Sequence, residues 1–165
     1  MPLSDQGIER HRYLLVPRVS IYLREGDAYL LIRGSASRKR WPGKYNGVGG
    51  HLERGEDVLT AATRELEEET GLRASLWLCG TIVVDVGDIG VGLHVFSGDR
   101  MGGTLRPSGE GTPEWVPYDR VTALPTVEDV PALLGRIHRM QRGDAPFAAR
   151  SFYDSEGRLQ LVFSS

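Results

Sequence analysis

Hydrophobic residues in the first part of the chain fall in short runs that are typical of β-strands. Residues 13–16 and 19–23 form two such runs, interrupted by Pro17, and a polar turn at residues 24–27 precedes a third run at residues 28–32. Because two apolar runs joined by a tight polar turn are the usual signature of a hairpin, the pattern predicts a strand followed by a β-hairpin.

The hydrophobic period changes after residue 57. The apolar side chains that follow recur with the spacing of a helix face, and Asp57 precedes them at the position of an N-cap. Gly71 follows, and glycine just past a helix is a common stop signal because it adopts the left-handed conformation readily. The pattern therefore predicts a helix between Asp57 and Gly71, whose apolar positions are Val58, Leu59, Ala61, Ala62 and Leu66.

Strand-like runs return in the second half of the chain. Residues 76–86 and 91–97 predict two strands joined by a turn at residues 87–90, residues 98–111 have the composition of a loop, and residues 115–117 predict a short strand. The Gly-rich character of the segment from residue 98 is the reason for predicting a loop there.

A second helix and a terminal hairpin complete the prediction. A helix over residues 128–142 is indicated by a 3.6-residue apolar pattern, and Pro131 falls in its first turn, where proline is tolerated. Residues 151–153 and 159–163 flank a turn and predict the hairpin. Strands and two helices in this order are typical of an α/β fold, here a mixed β-sheet covered on both faces as an α/β/α sandwich. The apolar helix positions are Val130, Leu133, Leu134, Ile137 and Met140.

Composition and net charge limit the number of domains and the classes of partner that we expect for this chain. The chain has 165 residues, 40% of them hydrophobic, which predicts one domain over residues 1–165. A net charge of −2 argues against a nucleic-acid polymer as partner but leaves free nucleotides open. The single cysteine, Cys79, can form neither an internal disulfide nor a metal cluster and is expected to be a small buried residue.

The start of the chain and the hydropathy of the whole sequence give an expectation for the cellular location of the protein. The first twelve residues contain no apolar core of a signal peptide, and no run approaches the roughly 18 apolar residues that span a bilayer. We therefore expect a soluble cytoplasmic protein with no membrane partner, either a monomer or a homodimer.

Three carboxylates on the first helix carry the candidate chemistry. Glu65, Glu68 and Glu69 have the spacing i, i+3, i+4, which places them on one side of the helix, facing one point. Neighbouring like charges cost about 0.2–0.5 kcal/mol per pair, so a bound cation is one explanation, and oxygen ligands select Mg²⁺ or Mn²⁺. The alternative is a solvated helix in which Arg64 partly offsets the repulsion from Glu68.

The same segment resembles the Nudix box, whose fixed positions are written G-x5-E-x7-R-E-U-x-E-E-x-G-U, with U an aliphatic residue. The resemblance implies the Nudix fold and hydrolysis of a nucleoside diphosphate linked to another group. It implies that Glu65, Glu68, Glu69 and the Gly49 carbonyl bind the metal, that Arg64 orients the carboxylates and that Glu56 braces the loop. The matching residues are Gly50, Glu56, Arg64, Glu65, Leu66, Glu68, Glu69, Gly71 and Leu72.

Residues 41–50 are similar to the segment before the box in the MutT-like branch of the family, whose members hydrolyse oxidised purine nucleoside triphosphates such as 8-oxo-dGTP. This similarity implies that Asn46 reads the purine edge, a role that suits a side chain able to donate and accept. Asn46 could otherwise be a turn residue before Gly47. In that branch an acidic residue before the second helix can pair with the base, and Glu128 and Asp129 are the candidates.

Two further features lie outside the box. Many Nudix hydrolases carry an additional carboxylate that acts on the metals or the attacking water, and this resemblance points to Glu110, with Glu114 as the second candidate. Residues 33–45 form a Gly/Ser/Pro-rich loop whose cations are either solvated or part of a lid that attracts a triphosphate. The loop cations are Arg33, Arg38, Lys39, Arg40 and Lys44.

The resemblance thus predicts Mg²⁺-dependent (or Mn²⁺-dependent) hydrolysis of an oxidised purine nucleoside triphosphate to a nucleoside monophosphate and pyrophosphate. One alternative is another substrate: ADP-ribose, a dinucleoside polyphosphate or a nucleotide sugar. ADP-ribose hydrolases of the family usually have a proline some way after the box, and residues 72–106 contain none. The other alternative is a nucleotide-binding module without turnover, although such modules typically lose box glutamates that this chain keeps.

Overall fold

A mixed β-sheet of eight strands forms the centre of the computed structural model, which describes residues 3–7, 9, 11–37 and 39–164. Arg38 of the predicted cationic loop lies outside the described residues. The elements in chain order are β1 (Leu14–Glu25), β2 (Ala28–Gly34), β3 (Tyr45–Asn46), α1 (Val58–Thr70), β4 (Leu72–Asp85), β5 (Ile89–Gly103), β6 (Gly111–Pro117), α2 (Val130–Ile137), β7 (Phe147–Tyr153) and β8 (Leu159–Phe163). The strand order is β3-β2-β1-β5-β4-β7-β8, with β6 paired to β2.

The two helices pack on opposite faces of this sheet. Successive residues of a strand point to opposite faces, so neighbouring residues of β1 belong to the cores beneath different helices. On β1, Ile21 and Leu23 belong to the cluster that contains Leu66 of α1. Tyr22, between them, belongs to the cluster that contains Leu133 of α2. The predicted α/β/α sandwich with a mixed sheet is therefore confirmed.

The predicted interruption of the first strand at Pro17 is wrong, since β1 runs through it. β1 pairs in parallel with β5 from Leu14 opposite Ile89 onward, and Pro17 lies opposite Gly92. The Pro17 carbonyl accepts a hydrogen bond from the Leu52 N–H (3.4 Å), on the side away from β5. The missing N–H of Pro17 therefore faces an irregular segment, where no regular ladder bond is lost.

Several other boundaries differ from the predictions: β4, β6 and β7 each begin four residues earlier than predicted, at Leu72, Gly111 and Phe147. β5 continues to Gly103 because its second half pairs with the start of β4, at Leu72 opposite Gly103, so pairing overrides the loop-like composition after residue 98. α2 spans Val130–Ile137, shorter than residues 128–142, because its end tightens into three-residue hydrogen bonds such as Met140 N–H to Ile137 O (2.9 Å).

The signals at the ends of α1 are confirmed. Asp57 Oδ1 accepts hydrogen bonds from the N–H groups of Leu59 (2.8 Å) and Thr60 (2.9 Å). Gly71 ends the helix with φ 74°, in the left-handed region. These two ends fix the register of α1 and therefore the direction in which its glutamates point.

Cys79 is buried, as expected. Within the described part of the chain, no helix has the length and apolar character that a bilayer crossing requires.

Candidate active site

Arg64 is the centre of the hydrogen-bond network on α1. Its Nε and Nη2 donate to the two carboxylate oxygens of Glu56 (2.7 and 2.9 Å), a bidentate pair. Its Nη1 donates to Glu65 Oε1 (2.9 Å) and to Glu68 Oε2 (3.2 Å), and Nη2 also donates to the His51 carbonyl (3.1 Å). One guanidinium thus ties the helix to the loop before it and offsets the repulsion between neighbouring glutamates.

Glu56 also bonds to the backbone of the loop that precedes α1. Its Oε2 accepts a hydrogen bond from the Glu53 N–H (3.0 Å) in addition to the bonds from Arg64. Hydrogen bonding by Arg64, followed by the Glu53 N–H, lowers the pKa of Glu56 from 4.5 to about 2. The geometry agrees with the bracing role predicted for Glu56.

The lowered pKa of Glu56 predicts a pH-dependent contribution to stability. The ionised carboxylate stabilises the folded state; this contribution is complete above the unfolded pKa of 4.5 and is lost as pH falls towards about 2. We expect a Glu56→Gln variant to have a lower Tm than wild type at pH 7, with the difference shrinking through this acid range. Thermal melts across pH would measure it, with Glu53→Gln as the matched change of an exposed carboxylate. A Tm difference that stays constant down to the acid limit would contradict the assignment.

The Gly49–Gly50 backbone lies directly against two of the three helix carboxylates. The Gly49 N–H donates to Glu69 Oε2 (3.2 Å), and Glu69 is only 7% exposed. A methyl group on Gly50 would overlap the carboxylate of Glu65. The Glu65 side chain is 13% exposed and that of Glu68 is 61% exposed, so the carboxylate face runs from a buried end at Glu69 to solvent at Glu68.

The contact at Gly50 gives a second prediction. A Gly50→Ala substitution should push the Glu65 carboxylate out of position and lower kcat/KM by about tenfold, the lower end of what loss of a supporting contact costs. The Tm should change little, because a flexible side-chain end can move more easily than backbone. Gly109→Ala is the control, since a methyl group there meets open space. Equal activity in the two variants would show that the position of Glu65 is unimportant.

The donor chemistry of this face fits a hard divalent cation. All three candidate side chains are carboxylates, and Mg²⁺ is commonly held by a few carboxylates together with substrate phosphates. However, in the described residues no three His, Cys, Asp or Glu side chains are arranged as a metal site. The three glutamates share one helix face, on which Arg64 Nη1 bonds both Glu65 and Glu68 while the Gly49 N–H bonds Glu69. Their role in metal binding stays a prediction. A cation would require carboxylates such as the exposed Glu68 to turn.

A cleft of about 470 Å³ adjoins this face, within the size range of small-molecule sites. Gly49 lines the cleft while its N–H bonds Glu69, so the cleft and the carboxylate face meet at this residue. Four of the predicted substrate-binding residues also line it, which brings together positions that are distant in sequence. They are Lys44, Asn46, Glu128 and Asp129.

The polar groups in the cleft differ in their surroundings. Asn46 belongs to β3 and not to a turn, so the alternative turn interpretation is wrong. Its Oδ1 accepts a hydrogen bond from the Gly47 N–H (2.8 Å), and Asn46 lines the cleft. Asp129 precedes α2 but makes no side-chain capping bond. Burial raises the pKa of the Asp129 carboxyl, whereas Glu128 is exposed. Asp129 is therefore the better placed of the two acids to meet a ligand in the cleft.

Comparison with known proteins agrees with the box and the fold. The sequence model of the NUDIX domain matches residues 14–137, most of the chain. The chain belongs to the Nudix family. Oxidized purine nucleoside triphosphate hydrolases from Mus musculus and Danio rerio are 35% and 34% identical to it over 94 residues, or 55% of this chain. The Nudix chain spans 60% of the length of these curated relatives.

Solved structures show the same Nudix fold. The MutT protein from Bacillus halodurans has a TM-score of 0.75 at 25% identity, covering 91% of this chain and 98% of that one. The Nudix domain of Shewanella oneidensis NrtR, whose structure contains ADP ribose, has a TM-score of 0.67 at 14% identity and covers 84% and 97%. The second likeness concerns the fold alone.

Two predicted site residues of this Nudix protein, Arg33 and Glu110, belong neither to the carboxylate face of α1 nor to the described lining of the cleft. Arg33 Nε lies 3.3 Å from Glu114 Oε1, and Glu114 also accepts a hydrogen bond from the Tyr45 hydroxyl (2.9 Å). Glu110 lies in the turn before β6, where its carbonyl accepts from the Ser35 N–H (3.4 Å). Neither Arg33 nor Glu110 is among the described residues that line the cleft, so their functional roles stay predictions.

Several cleft residues were not predicted as site residues. The apolar wall comes from strand positions and from Val86 just after β4, and their sequence signal is only that of a strand, so periodicity alone could not assign them to a site. Trp41 and Tyr153 are aromatic, 40% and 57% exposed. An aromatic residue within the predicted cationic loop is a sequence signal that could have found Trp41. The apolar wall consists of Val84, Val86, Val91, Leu93 and Leu159.

Proposed function

We propose that this Nudix protein hydrolyses nucleoside triphosphates that carry an oxidised purine, such as 8-oxo-dGTP, to a nucleoside monophosphate and pyrophosphate. Such an activity would remove damaged nucleotides from the pool. The observation that carries the proposal is the position of Gly49, which lines the cleft and bonds to Glu69 of the carboxylate face. A nucleotide can therefore place its base in the cleft and its phosphates over α1.

The charges of the site suit an elongated substrate of this kind. Arg40 and Lys44 line the cleft and can attract the triphosphate. A Mg²⁺ or Mn²⁺ ion would be held by Glu65, Glu68, Glu69 and the Gly49 carbonyl. The bound ion would neutralise phosphate charge and orient the attacking water. Arg64 holds Glu65 and Glu68 in one hydrogen-bond network, from which the exposed Glu68 would turn to bind the cation.

The reaction is attack of water on a phosphorus atom, with cleavage of a phosphorus–oxygen bond and release of pyrophosphate. Glu65 is favoured over Glu110 as acceptor of the water proton, because it lies against Gly50 beside the cleft wall. Glu56 and Arg64 have supporting roles, since they contact the carboxylates and the preceding loop.

The base end of the cleft supports recognition of a purine. Asn46 and Asp129 both line the cleft, and an amide and a carboxyl group can between them donate to and accept from a base edge. With Asn46 Oδ1 bonded to the Gly47 N–H, the amide NH₂ is the group that would contact the base. The relatives named as oxidized purine nucleoside triphosphate hydrolases lend support to this substrate class.

The first test is product analysis with a matched substrate panel. Purified protein is incubated with Mg²⁺ and 8-oxo-dGTP, dGTP, ADP-ribose or a dinucleoside polyphosphate, and the products are separated by chromatography. We expect pyrophosphate and a nucleoside monophosphate from the triphosphates, abolished by chelation of the metal. Preferential cleavage of ADP-ribose would move the protein to another substrate class, and binding of every nucleotide without product would identify a non-catalytic module.

A further inference from the structure

Trp41 has an unusual backbone conformation. Its φ is 52°, and among the described residues it is the one non-glycine residue with a positive φ. Left-handed backbone is costly for a bulky L-residue, and such strain persists where the surrounding structure or a function requires that side chain. Gly43, two residues later with φ 72°, occupies the same region at no such cost.

The surrounding turn holds Trp41 at the edge of the cleft. The Lys44 N–H donates to the Trp41 carbonyl (3.2 Å), and the Gly43 N–H donates to the Gly34 carbonyl at the end of β2 (3.0 Å). The sheet therefore anchors the turn on one side. Arg40, Trp41 and Lys44 all line the cleft, so the turn forms one of its walls.

The indole contributes little to the protein core. Trp41 is 40% exposed, whereas the other two tryptophans, Trp77 and Trp115, are partly buried and pack against the two core clusters. A large aromatic face left partly in solvent, on a strained backbone and in a cleft wall, is poorly explained by stability. It is well explained by a planar ligand that covers it.

We propose that the Trp41 indole stacks on the base of the bound nucleotide. The cation pair Arg40 and Lys44 on the same turn would lie towards the phosphates, while Asn46 and Asp129 read the edge of the base. Stacking acts on the face of any base, so Trp41 sets affinity for base-bearing substrates and the edge readers set discrimination. This inference rests on the proposed nucleotide substrate, although it does not require turnover.

Fluorescence of a protein with Trp41 as its single tryptophan tests the contact directly. In a Trp77→Phe, Trp115→Phe background, titration with non-hydrolysable α,β-methylene dGTP and Mg²⁺ should quench the emission saturably. Inorganic tripolyphosphate, which carries the charge without the base, should leave the emission unchanged. Equal quenching by both ligands would mean that the turn moves in response to phosphate, and no quenching by either would mean that the indole is not contacted; each result overturns the proposal.

Kinetics of two substitutions separate stacking from a structural role. Trp41→Gly relieves the backbone strain and removes the ring, so KM for a nucleoside triphosphate should rise roughly tenfold or more, with kcat and Tm little changed. Trp41→Phe keeps a flat ring and should restore KM to within about threefold of wild type. An unchanged KM in Trp41→Gly would contradict stacking.

The two proposals fail in distinguishable ways. If a nucleotide quenches Trp41 but no triphosphate is hydrolysed, the stacking stands and the proposed reaction does not. If triphosphates are hydrolysed with the same KM by wild type and Trp41→Gly, the reaction stands and the stacking does not.

Discussion

Replacing Glu69 with glutamine should lower kcat by about 100-fold to 1,000-fold, the range expected when one group that stabilises developing charge is lost. The size of the side chain and one oxygen acceptor are retained, so the hydrogen bond from the Gly49 N–H can remain. The change therefore removes charge at the most buried of the three helix carboxylates with little disturbance of packing. Steady-state kinetics over a range of Mg²⁺ concentrations, together with the Tm, would measure the effect.

The matched control lies two residues away on the same helix. Glu67 is exposed, so Glu67→Gln makes the same chemical change outside the carboxylate face. It should keep wild-type turnover. If Glu69→Gln were as active as Glu67→Gln, the assignment of the helix carboxylates to metal binding would be wrong.

The Asp129→Asn substitution should have the second largest effect of the predicted substitutions, and it should act on the choice between oxidised and ordinary purine substrates. An isosteric amide cannot make the same hydrogen bonds to a base edge, and we expect kcat/KM for the preferred oxidised purine to fall about 10-fold to 100-fold, with a smaller loss for the ordinary purine. The Tm at pH 7 should not fall. The sign follows from the raised pKa of Asp129: burial disfavours its ionised form in the folded state, and the substitution removes that charge.

Asp119→Asn provides the comparison, because Asp119 is exposed and is not among the described cleft residues. Measuring kcat/KM for both purines in the two variants separates a general loss of negative charge from loss of a pocket contact. Parallel losses for both substrates in Asp129→Asn would show that Asp129 supports the cleft without reading the base.

Local signals in the sequence were sufficient to predict α1 and its two ends. The Asp57 cap and the Gly71 stop depend only on neighbouring backbone groups, and both are present as predicted. The helix between them fixes which side chains share a face, so the contact of Arg64 with Glu68, four residues later, follows from spacing. The contact of Arg64 with Glu65 was expected from the family pattern. Features of this kind can be predicted because each is determined within a few residues.

Features that depend on distant partners could not be predicted in the same way. Pro17 lies inside β1 because its missing N–H faces an irregular segment, and β5 extends to Gly103 because β4 pairs with it there. The cleft joins the turn at Trp41 to Asp129 and to strands near the end of the chain. The sequence contains these residues, but only the sheet order brings them together.

Arg64 shows why two interpretations of the glutamates were both partly right. The solvated-helix alternative expected it to offset the charge of Glu68, and it does. The family pattern expected it to orient the carboxylates, and it also bonds Glu65, Glu56 and the His51 carbonyl. The same contacts therefore balance the charge of the helix and position the groups that would bind a cation.

The most direct test of the proposed function is the ratio of kcat/KM for 8-oxo-dGTP and dGTP, measured as Mg²⁺-dependent pyrophosphate release. A cleft that reads the oxidised base through Asn46 and Asp129 should favour 8-oxo-dGTP by about 100-fold or more, equivalent to roughly 2.7 kcal/mol of differential transition-state binding. A ratio near one would contradict recognition of an oxidised purine, while the carboxylate chemistry of α1 would remain to be matched to another nucleotide.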